Sequence, residues 1–378
     1  MRQPNPTTLL TNKNMKFIYI LLSLITSQIT YAQTDTVSTT TKLTFSGFAD
    51  VYYAYDFNKP VSHERPGFLY NHSRHNEFNV NLAFLKAAYT SNKVRGTLAL
   101  MAGTYAQYNL AAEQELLKNI FEANAGVQLA PKLWLDAGIF ASHIGLESAI
   151  SKDNYTLTRS LAAENTPYYE SGAKLTYEAG SKWIFTGLVL NGWQNIREPE
   201  GNSSKAIGTQ IQFKPTDKIL LNSSTFIGNE KPDSVKQQRY FHDFYAIFQI
   251  SEQFKLAAIF DIGAEKRADS GGSGNYTGNT YNTWFNPTLL LHYNFTDKVG
   301  LGARAEYYHD PNNVIIASGT RNGFKTFGYS LNLDYAPVTK VLLRLEGRLL
   351  DSEDAVFTRD NRAVDESLAI TSSLAILF

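Results

Sequence analysis

The chain has 378 residues, equal numbers of basic and acidic side chains (35 of each) and no cysteine. The balanced charge provides no basic surface for nucleic acid, and the lack of cysteine excludes disulfides, thiol catalysis, cysteine-based metal sites and an N-terminal lipoprotein anchor. The mean hydropathy of -0.26, with a single apolar run near the N-terminus, excludes a helical membrane protein. A transmembrane barrel is compatible, because half of each strand faces a wet interior, and 22 Tyr and 23 Phe suit its aromatic girdles.

The N-terminal segment is typical of an export signal. Met15 and Lys16 begin a basic segment, and an apolar run covers residues 17–25. Small residues then occupy the positions read by a signal peptidase, up to Ala32. We therefore expect a signal peptide over residues 1–32, with Met15 as the initiator and cleavage after Ala32. A permanent helical anchor is the alternative, but the apolar run is about half of the roughly 20 residues that a membrane span needs. Residues 33–41 are expected to form a short, polar periplasmic leader.

From Lys42 onward, short turns alternate with longer polar loops, for example at 145–167, 265–281 and 310–323. The short turns are rich in Pro, Gly, Asn, Asp and Ser, which satisfy turn geometry; they lie at 91–93, 130–132, 179–182, 214–217, 251–253, 296–298 and 337–339. Seven short turns divide the chain into eight up-and-down units. The sequence therefore predicts an all-β fold over residues 42–378: an antiparallel up-and-down transmembrane barrel of about sixteen strands, with short periplasmic turns and long extracellular loops.

The predicted strands alternate between apolar and polar residues. In 341–349 the apolar residues and Gly347 share one face, while Arg344, Glu346 and Arg348 share the other. Phe78, Val80, Leu82 and Phe84 alternate in the same way with Asn79 and Asn81, and Phe121 begins a similar apolar set. Parity nominates a group of charged residues that we expect to line the lumen: Arg95, Glu122, Asp136, Glu170, Lys174, Lys255, Asp261, Arg304, Glu306, Arg344, Glu346 and Arg348.

Each of these charges has two possible roles. Opposed charges across a narrow lumen would filter solutes by their field, whereas a charge paired with a neighbouring strand would only brace the wall. The mixture of signs predicts weak charge selectivity at most. Four inward aromatic residues, Phe48, Tyr52, Trp134 and Phe140, fit either a sugar track or plain wall residues.

The last strand, 367–378, has one apolar face maintained to its end by Leu374, Ile376 and Phe378. A secreted β-sandwich would also alternate, but its strands are typically about 5 to 6 residues long, whereas these run to about 9 to 13. An apolar edge strand invites aggregation in water. In a closed barrel it faces lipid and pairs with the strand that begins near Phe45. The same three residues resemble the closing signal that the barrel-assembly machinery reads.

The third long loop, 145–167, contains Glu147, Lys152, Asp153, Arg159 and Glu164. In sixteen-stranded porins the third loop folds inward and narrows the pore, so an inward position is one interpretation by analogy. An exposed surface loop is the other. The sequence does not distinguish between them.

Three stretches, 45–53 (FSGFADVYY), 165–177 (NTPYYESGAKLTY) and 190–194 (LNGWQ), resemble the OmpL-like β-barrel porins that are common in Bacteroidetes. The resemblance covers the chain after the leader. It implies an outer-membrane barrel of a Gram-negative bacterium with porin activity, and it supplies no catalytic or ligand residues. Partners expected of such a barrel are outer-membrane lipid, periplasmic chaperones, the assembly machinery and two further copies in a homotrimer.

A channel of sixteen strands holds water, whereas about eight strands would be filled by side chains. The sequence therefore predicts passive diffusion of small hydrophilic solutes, with substrate-specific uptake, for example of oligosaccharides, as the alternative. An outer-membrane hydrolase is a weaker alternative. Neighbouring residues in a strand point to opposite faces, so neither His242-Asp243 nor His309-Asp310 can form a catalytic pair by itself. Seven scattered His residues show no ligand spacing. No cofactor, metal or enzymatic activity is expected.

Overall fold

The computed structural model describes residues 41–267 and 280–378, which form a closed antiparallel β-barrel of sixteen strands. The predicted signal peptide, the cleavage site at Ala32 and most of the leader lie outside the described residues. In chain order, β1 to β18 are Lys42–Asp56, Phe78–Thr90, Val94–Ala102, Ile120–Ala130, Leu133–Ala141, Tyr169–Ala179, Trp183–Leu190, Ala206–Thr216, Ile219–Asn229, Gln238–Gln249, Phe254–Lys266, Tyr281–Asn294, Val299–Asp310, Phe324–Tyr335, Val341–Ser352, Phe357–Arg359, Arg362–Val364 and Glu366–Leu377. Strands β1 to β15 and β18 form the barrel, while β16 and β17 form a small hairpin in the last loop.

Consecutive strands pair with each other, and the last barrel strand closes the cylinder. β18 pairs with β15 on one side and with β1 on the other, in a register that places Phe48 opposite Leu377. Gly47 and Phe378 exchange both backbone hydrogen bonds, at 2.7 and 3.0 Å. The predicted strand number, the seven turns and the closing position of the last strand are therefore confirmed.

The two faces of the strands follow the predicted alternation. On β14 the side chains of Phe327, Tyr329, Leu331 and Leu333 are exposed on the outer surface, whereas the side chain of Asn332 is buried inside. An outer apolar band with an inner polar wall is the arrangement that lipid and lumen require.

Two β-bulges correct the predicted orientation of apolar residues in β2 and β4. The pairing of β1 with β2 shifts between Asp50 and Val51, so that Asn81 is an extra residue. Leu82 and Phe84 consequently point inward and are buried, although the alternation placed them on the lipid face. A bulge between β3 and β4 makes Phe121 an extra residue in the same way, and its ring stacks on Phe84 at 4.9 Å. One inserted residue reverses the face of all that follow.

Helical structure is confined to short segments of the loops. Thr104–Asn109 and Leu161–Glu164 are α-helical, and Leu117–Asn119 and Ser151–Asp153 form single 3-10 turns. In residues 41–267 and 280–378 the longest helix is far too short to cross a membrane.

Candidate functional site

The third long loop, hereafter loop 3 (residues 142–168), lies inside the barrel. Its middle part contacts the inner face of β13, β14 and β15. These strands lie across the barrel from β5 and β6, which flank the loop. The side-chain amide of Asn332 accepts a hydrogen bond from the Leu157 backbone at 3.2 Å. Of the two positions that the sequence allowed for this loop, the structure therefore shows the inward one.

Glu346 and Arg304 form the centre of the contact between loop 3 and the wall. Glu346 accepts hydrogen bonds from the backbone N–H of Thr158 at 2.5 Å and from its hydroxyl at 2.7 Å. Arg304 donates to Glu346 at 3.2 Å, to Ser330 at 2.7 Å and to the hydroxyl of Thr156 at 2.8 Å. Both charged side chains are almost completely buried. Buried charges tolerate desolvation only when they are paired and hydrogen-bonded, as these are.

Two further pairs extend this network along the wall. Arg344 binds Asp334 at 2.7 Å and also donates to the backbone carbonyls of Ser151 and Asn154 in loop 3, at 2.6 and 3.1 Å. Arg348 donates to Glu306 at 2.8 Å, and Glu306 in turn accepts a hydrogen bond from the backbone of Leu161. We call Arg304, Glu306, Arg344, Glu346 and Arg348 the latch. These five residues were predicted to line the pore; they face inward but are packed beneath loop 3.

A glycine allows the backbone of loop 3 to touch the wall. A Cβ atom added at Gly302 would lie 2.0 Å from the carbonyl oxygen of Tyr155. Real atoms do not approach so closely, so a side chain at this position would push the loop away. Glycine in a strand commonly marks such a close approach of a second backbone.

Loops 1 and 2, at 57–77 and 103–119, pack against loop 3 from the other side. The Glu164 carboxylate accepts hydrogen bonds from the backbone of Tyr70 and from the backbone and side chain of Asn71, at 2.9, 3.3 and 3.1 Å. Arg159 donates to the side chain of Asn71 in loop 1 at 2.8 Å and lies 5.6 Å from the ring centre of Tyr105 in loop 2. Loop 3 is thus held between the latch and two other loops.

An apolar cluster fills the loop end of the lumen beside β7 to β15. It combines inward side chains from the outer ends of the strands with residues from the loops between 57 and 365. Its members, the outer cluster, are Leu69, Phe140, Ile144, Leu161, Leu188, Leu190, Ala206, Phe226, Phe241, Trp284, Tyr308, Ile316, Phe324, Leu350 and Phe357. Apolar packing of this kind excludes water, so the outer half of the lumen is much narrower than the barrel wall alone would make it.

A polar cavity is left on the side of the lumen that faces β3 to β10. It has a volume of about 400 Å³ and lies between the first residues of loop 3 and the wall. We call it the lumen cavity; it is lined by Arg95, Phe140, Ala141, Ser142, His143, Gly145, Lys174, Thr176, Ile184, Thr186, Leu188, Gln210, Gln212 and Tyr245. Two of the predicted pore-lining charges, Arg95 and Lys174, are among them.

The predicted charges of this half of the wall are arranged mainly in pairs. Arg95 binds Asp136 with two hydrogen bonds, at 2.7 and 2.5 Å, and its guanidinium lies 4.3 Å from the ring centre of Trp134. Glu122 binds Lys86 at 2.8 Å. These contacts compensate Arg95 and Glu122 locally.

Glu170 forms a charged pair with His143 at the start of loop 3. His143 Nδ1 donates to the Glu170 carboxylate at 2.9 Å, and Nε2 donates to the backbone carbonyl of Thr225 at 2.9 Å. Since both ring nitrogens meet acceptors, both carry protons and the imidazole is cationic. Burial alone would lower the pKa of His143, but the Glu170 carboxylate outweighs it, and the pKa is raised.

The last two predicted charges lie elsewhere on the inner wall. Asp261 pairs in register with Asp243, and both carboxyl groups are buried. Lys255 lines a smaller cavity of about 250 Å³ near the periplasmic turn at 295–298, together with Asp153 and His292. Whether these residues, or the latch, act on a permeating solute stays a prediction.

The structure separates each His-Asp dipeptide. His242 lies on the outer face, where its Nε2 is 2.8 Å from the Ser223 hydroxyl, whereas Asp243 is buried inside. Asp310 accepts backbone hydrogen bonds from residues 314–316, while the ring of the preceding histidine stacks on Phe285 at 4.7 Å. Within residues 41–267 and 280–378, no group of three His, Asp or Glu side chains could hold a metal ion.

Several residues that build the site were not found by sequence reasoning. Thr156 and Thr158, which contact the latch, belong to no recognisable sequence motif. Asn71 is one of many polar residues in loop 1, so its contact with loop 3 could not be predicted. Glu147 was noted only as a charge in the loop. It binds Ser160 within loop 3, and burial raises the pKa of its carboxyl although Arg304 opposes the shift. Among the four inward aromatic residues, Phe48, Tyr52 and Phe140 are buried, and Phe140 also lies at the edge of the lumen cavity.

Comparison with known proteins gives one family and a set of structural likenesses. The family described as beta-barrel porin-2, OmpL-like, matches residues 42–378. No curated protein matches the sequence. Among solved structures, the chain is similar to an anion-selective porin from Comamonas acidovorans, with 9% identity, a TM-score of 0.60, and coverage of 89% of this chain and 100% of that chain.

Two other likenesses are of the same order. The trimer form of OmpT from Vibrio cholerae has 12% identity and a TM-score of 0.59, over 89% of this chain and 99% of that chain. The outer membrane channel DcaP of Acinetobacter baumannii has 13% identity and a TM-score of 0.57, over 89% and 97%. At such low identities these structures show a common fold.

Proposed function

The chain belongs to the OmpL-like β-barrel porin family and is a porin of the Gram-negative outer membrane, and we propose that solutes cross it through the lumen cavity. The observation that supports this route is the position of loop 3, which occupies the β13–β15 side and leaves the polar wall of β3 to β10 open. The hydroxyl and amide groups of Thr176, Gln210 and Gln212 can replace water around a small hydrophilic solute as it passes.

The proposal is tested by reconstitution of the folded protein in planar bilayers and in liposomes. We expect discrete conductance steps in KCl, smaller than those of a sixteen-stranded barrel whose loops stay outside, because loop 3 and the outer cluster fill much of the cross-section. Liposomes should swell with the smallest sugars and stop responding as sugar size grows. The heat-unfolded protein serves as the control. Folded protein that gives neither steps nor swelling would exclude diffusion.

We propose no enzymatic activity for this barrel. The two His-Asp dipeptides direct their side chains to opposite faces, so neither brings a base and its orienting group together. The His143–Glu170 pair is engaged with backbone and wall groups at both ring nitrogens. A base with both nitrogens donating has no lone pair for a proton.

The C-terminal residue is proposed to serve assembly as well as closure. The Phe378 ring lies against Gly47, where an added Cβ would be 2.2 Å from a ring carbon. Leu374 and Ile376 share the outer face with it. An apolar outer face at the free end of the last strand is accessible to the assembly machinery before the strand meets β1, and to lipid afterwards.

We further propose that three copies associate through the outer face of β3 to β7. Gly96, Ala125, Ala137 and Ala173 are successive register partners and form a row of small residues across four strands. β3 and β5 have nine residues and β7 has eight, at or below the roughly 9 to 11 that a lipid-facing strand needs. Short strands and a flat surface favour contact with another barrel over contact with lipid.

Replacing Ala125 and Ala137 together by Trp is expected to abolish the trimer. Two indole rings would stand out from the flat row and keep the neighbouring barrel at a distance. The measurement is the mass of the protein in detergent, together with the mobility of the unheated sample on gels. The Leu331→Trp variant, on the outer face of β14, is the control and should behave as the wild type. If wild type and the double variant have the same mass, the proposed interface is wrong.

A further inference from the structure

The lumen cavity contains a cation without a partner. Among residues 41–267 and 280–378, the Lys174 ammonium group has no hydrogen-bond or ion-pair partner, and it lies 4.5 Å from the centre of the Phe140 ring. Its register partner on β5 is Asp136, but both oxygens of that carboxylate are bound to Arg95. Two cations therefore share one carboxylate at this point of the wall.

Among the side chains that line the cavity and their ion-pair partners, one positive charge is left over. Glu170 is compensated by the cationic His143, so that pair contributes no net charge. Adding Arg95 and Lys174 and subtracting Asp136 leaves one positive charge facing about 400 Å³ of space. A fixed charge in a narrow, partly desolvated cavity acts strongly on ions, because protein walls of low dielectric screen it poorly.

The remaining lining groups are suited to an organic ligand. Gln210 and Gln212 use their amide N–H groups internally, on the His143 carbonyl at 2.8 Å and on the Tyr245 hydroxyl at 3.2 Å. Their amide oxygens are left as acceptors for ligand hydroxyl groups, and the rings of Phe140 and Tyr245 provide apolar surface. The volume falls within the roughly 300 to 1,000 Å³ of small-molecule sites.

We infer that the lumen cavity is a binding site for small organic anions that carry a carboxylate or phosphate group, with Lys174 as the residue that holds the charge. The inference rests on the proposed route through this cavity and gives it a substrate class. Binding draws anions into the lumen ahead of cations and neutral sugars. A bound anion also occupies the path and slows the ions behind it.

Binding is measured first, because it does not require conduction. Titration calorimetry of the folded, detergent-solubilised protein uses inorganic phosphate and sodium gluconate as probes, with sucrose as the neutral probe. We expect both anions to bind the wild type, Lys174→Gln to weaken that binding about ten-fold or more, and Lys174→Arg to retain it. Lys236→Gln removes an equal charge from an exposed outer loop and is the matched control. The mobility of heated and unheated samples verifies that each variant is folded.

Conduction is measured second, in planar bilayers under a KCl gradient. The wild type should prefer chloride to potassium and be blocked by phosphate, whereas Lys174→Gln should lose the preference and need about ten times more phosphate. Binding of sucrose as tight as that of the anions, or equal anion binding by Lys174→Gln and Lys236→Gln, overturns this inference. Anion binding that depends on Lys174 in a barrel without conductance supports the site and contradicts only the proposed function.

Discussion

Replacing Glu346 with alanine is expected to release loop 3 from the barrel wall. The carboxylate is 1% exposed and accepts from the backbone and hydroxyl of Thr158 as well as from Arg304. Its loss leaves two donors of the loop and part of a buried guanidinium without a partner, and breaking a buried pair in this way costs about 3 to 5 kcal/mol. Arg344 and Glu306 keep their bonds to the loop, so we expect the part of loop 3 around Thr158 to detach from the wall and become mobile.

Two measurements report this release. Trypsin added to the folded protein should cut loop 3 after Arg159 in the variant and spare this site in the wild type, in which Arg159 is buried. Single-channel steps should become larger and noisier, because a segment that filled the lumen is now mobile. Glu353→Ala is the matched control, since that carboxylate pairs with Lys325 at the exposed surface and such a pair contributes little to stability.

A second variant separates a lost interaction from a stranded charge. Glu346→Gln keeps an acceptor for the two Thr158 donors but removes the charge that compensates Arg304, so it should hold loop 3 better than Glu346→Ala. Equal trypsin protection of Glu346→Ala and Glu353→Ala would show that the latch does not hold the loop.

Replacing Gly302 with valine is expected to displace the tip of loop 3 without opening the barrel. The new Cβ would meet the Tyr155 carbonyl oxygen at 2.0 Å, and because both partners are backbone the contact cannot be relieved by a side-chain rotation. The tip must move away, and Arg344 then loses its bonds to the carbonyls of Ser151 and Asn154. The ladder of β13 with its neighbours uses backbone groups that valine retains, so the barrel should stay closed.

The expected results are larger conductance steps and faster cleavage at Lys152, with unchanged heat-dependent mobility on gels. Gly347→Val is the control of equal chemistry, since Gly347 lies on the outer face of β15 and an added Cβ there meets no atom within 4 Å. If Gly302→Val and Gly347→Val conduct alike, loop 3 does not rest on the wall at Gly302 in the membrane.

Local signals account for what the sequence predicted correctly. Turn residues separated the strands, and the alternation along 341–349 placed Arg344, Glu346 and Arg348 on the inner face, as the structure has them. Both signals act over a few residues. These local signals did not predict the bulge at Asn81, because one extra residue hardly changes the composition of the strand. It nevertheless reverses the faces of Leu82 and Phe84.

The position of loop 3 could not be read from the sequence for a different reason. Its bonds to the latch join residues that are 145 to 193 positions apart. Alternation identifies the face of Arg304 and Glu346, but it is the same whether that face meets water or a folded segment. The five latch charges face inward in the structure, but their packed surroundings depend on a partner that no local pattern indicates.

The long span between loop 3 and its partners also orders the steps by which the barrel matures. Loop 3 leaves the secretion apparatus well before β13, β14 and β15. Its docking surface therefore forms only when these last strands have joined the sheet and the sheet has curved into a cylinder. Contacts so distant in sequence form slowly, because the intervening chain must first be arranged. Docking of loop 3 is thus a late event that requires a nearly complete cylinder. A barrel that stalls before closure would be recognisable by a third loop still accessible from outside.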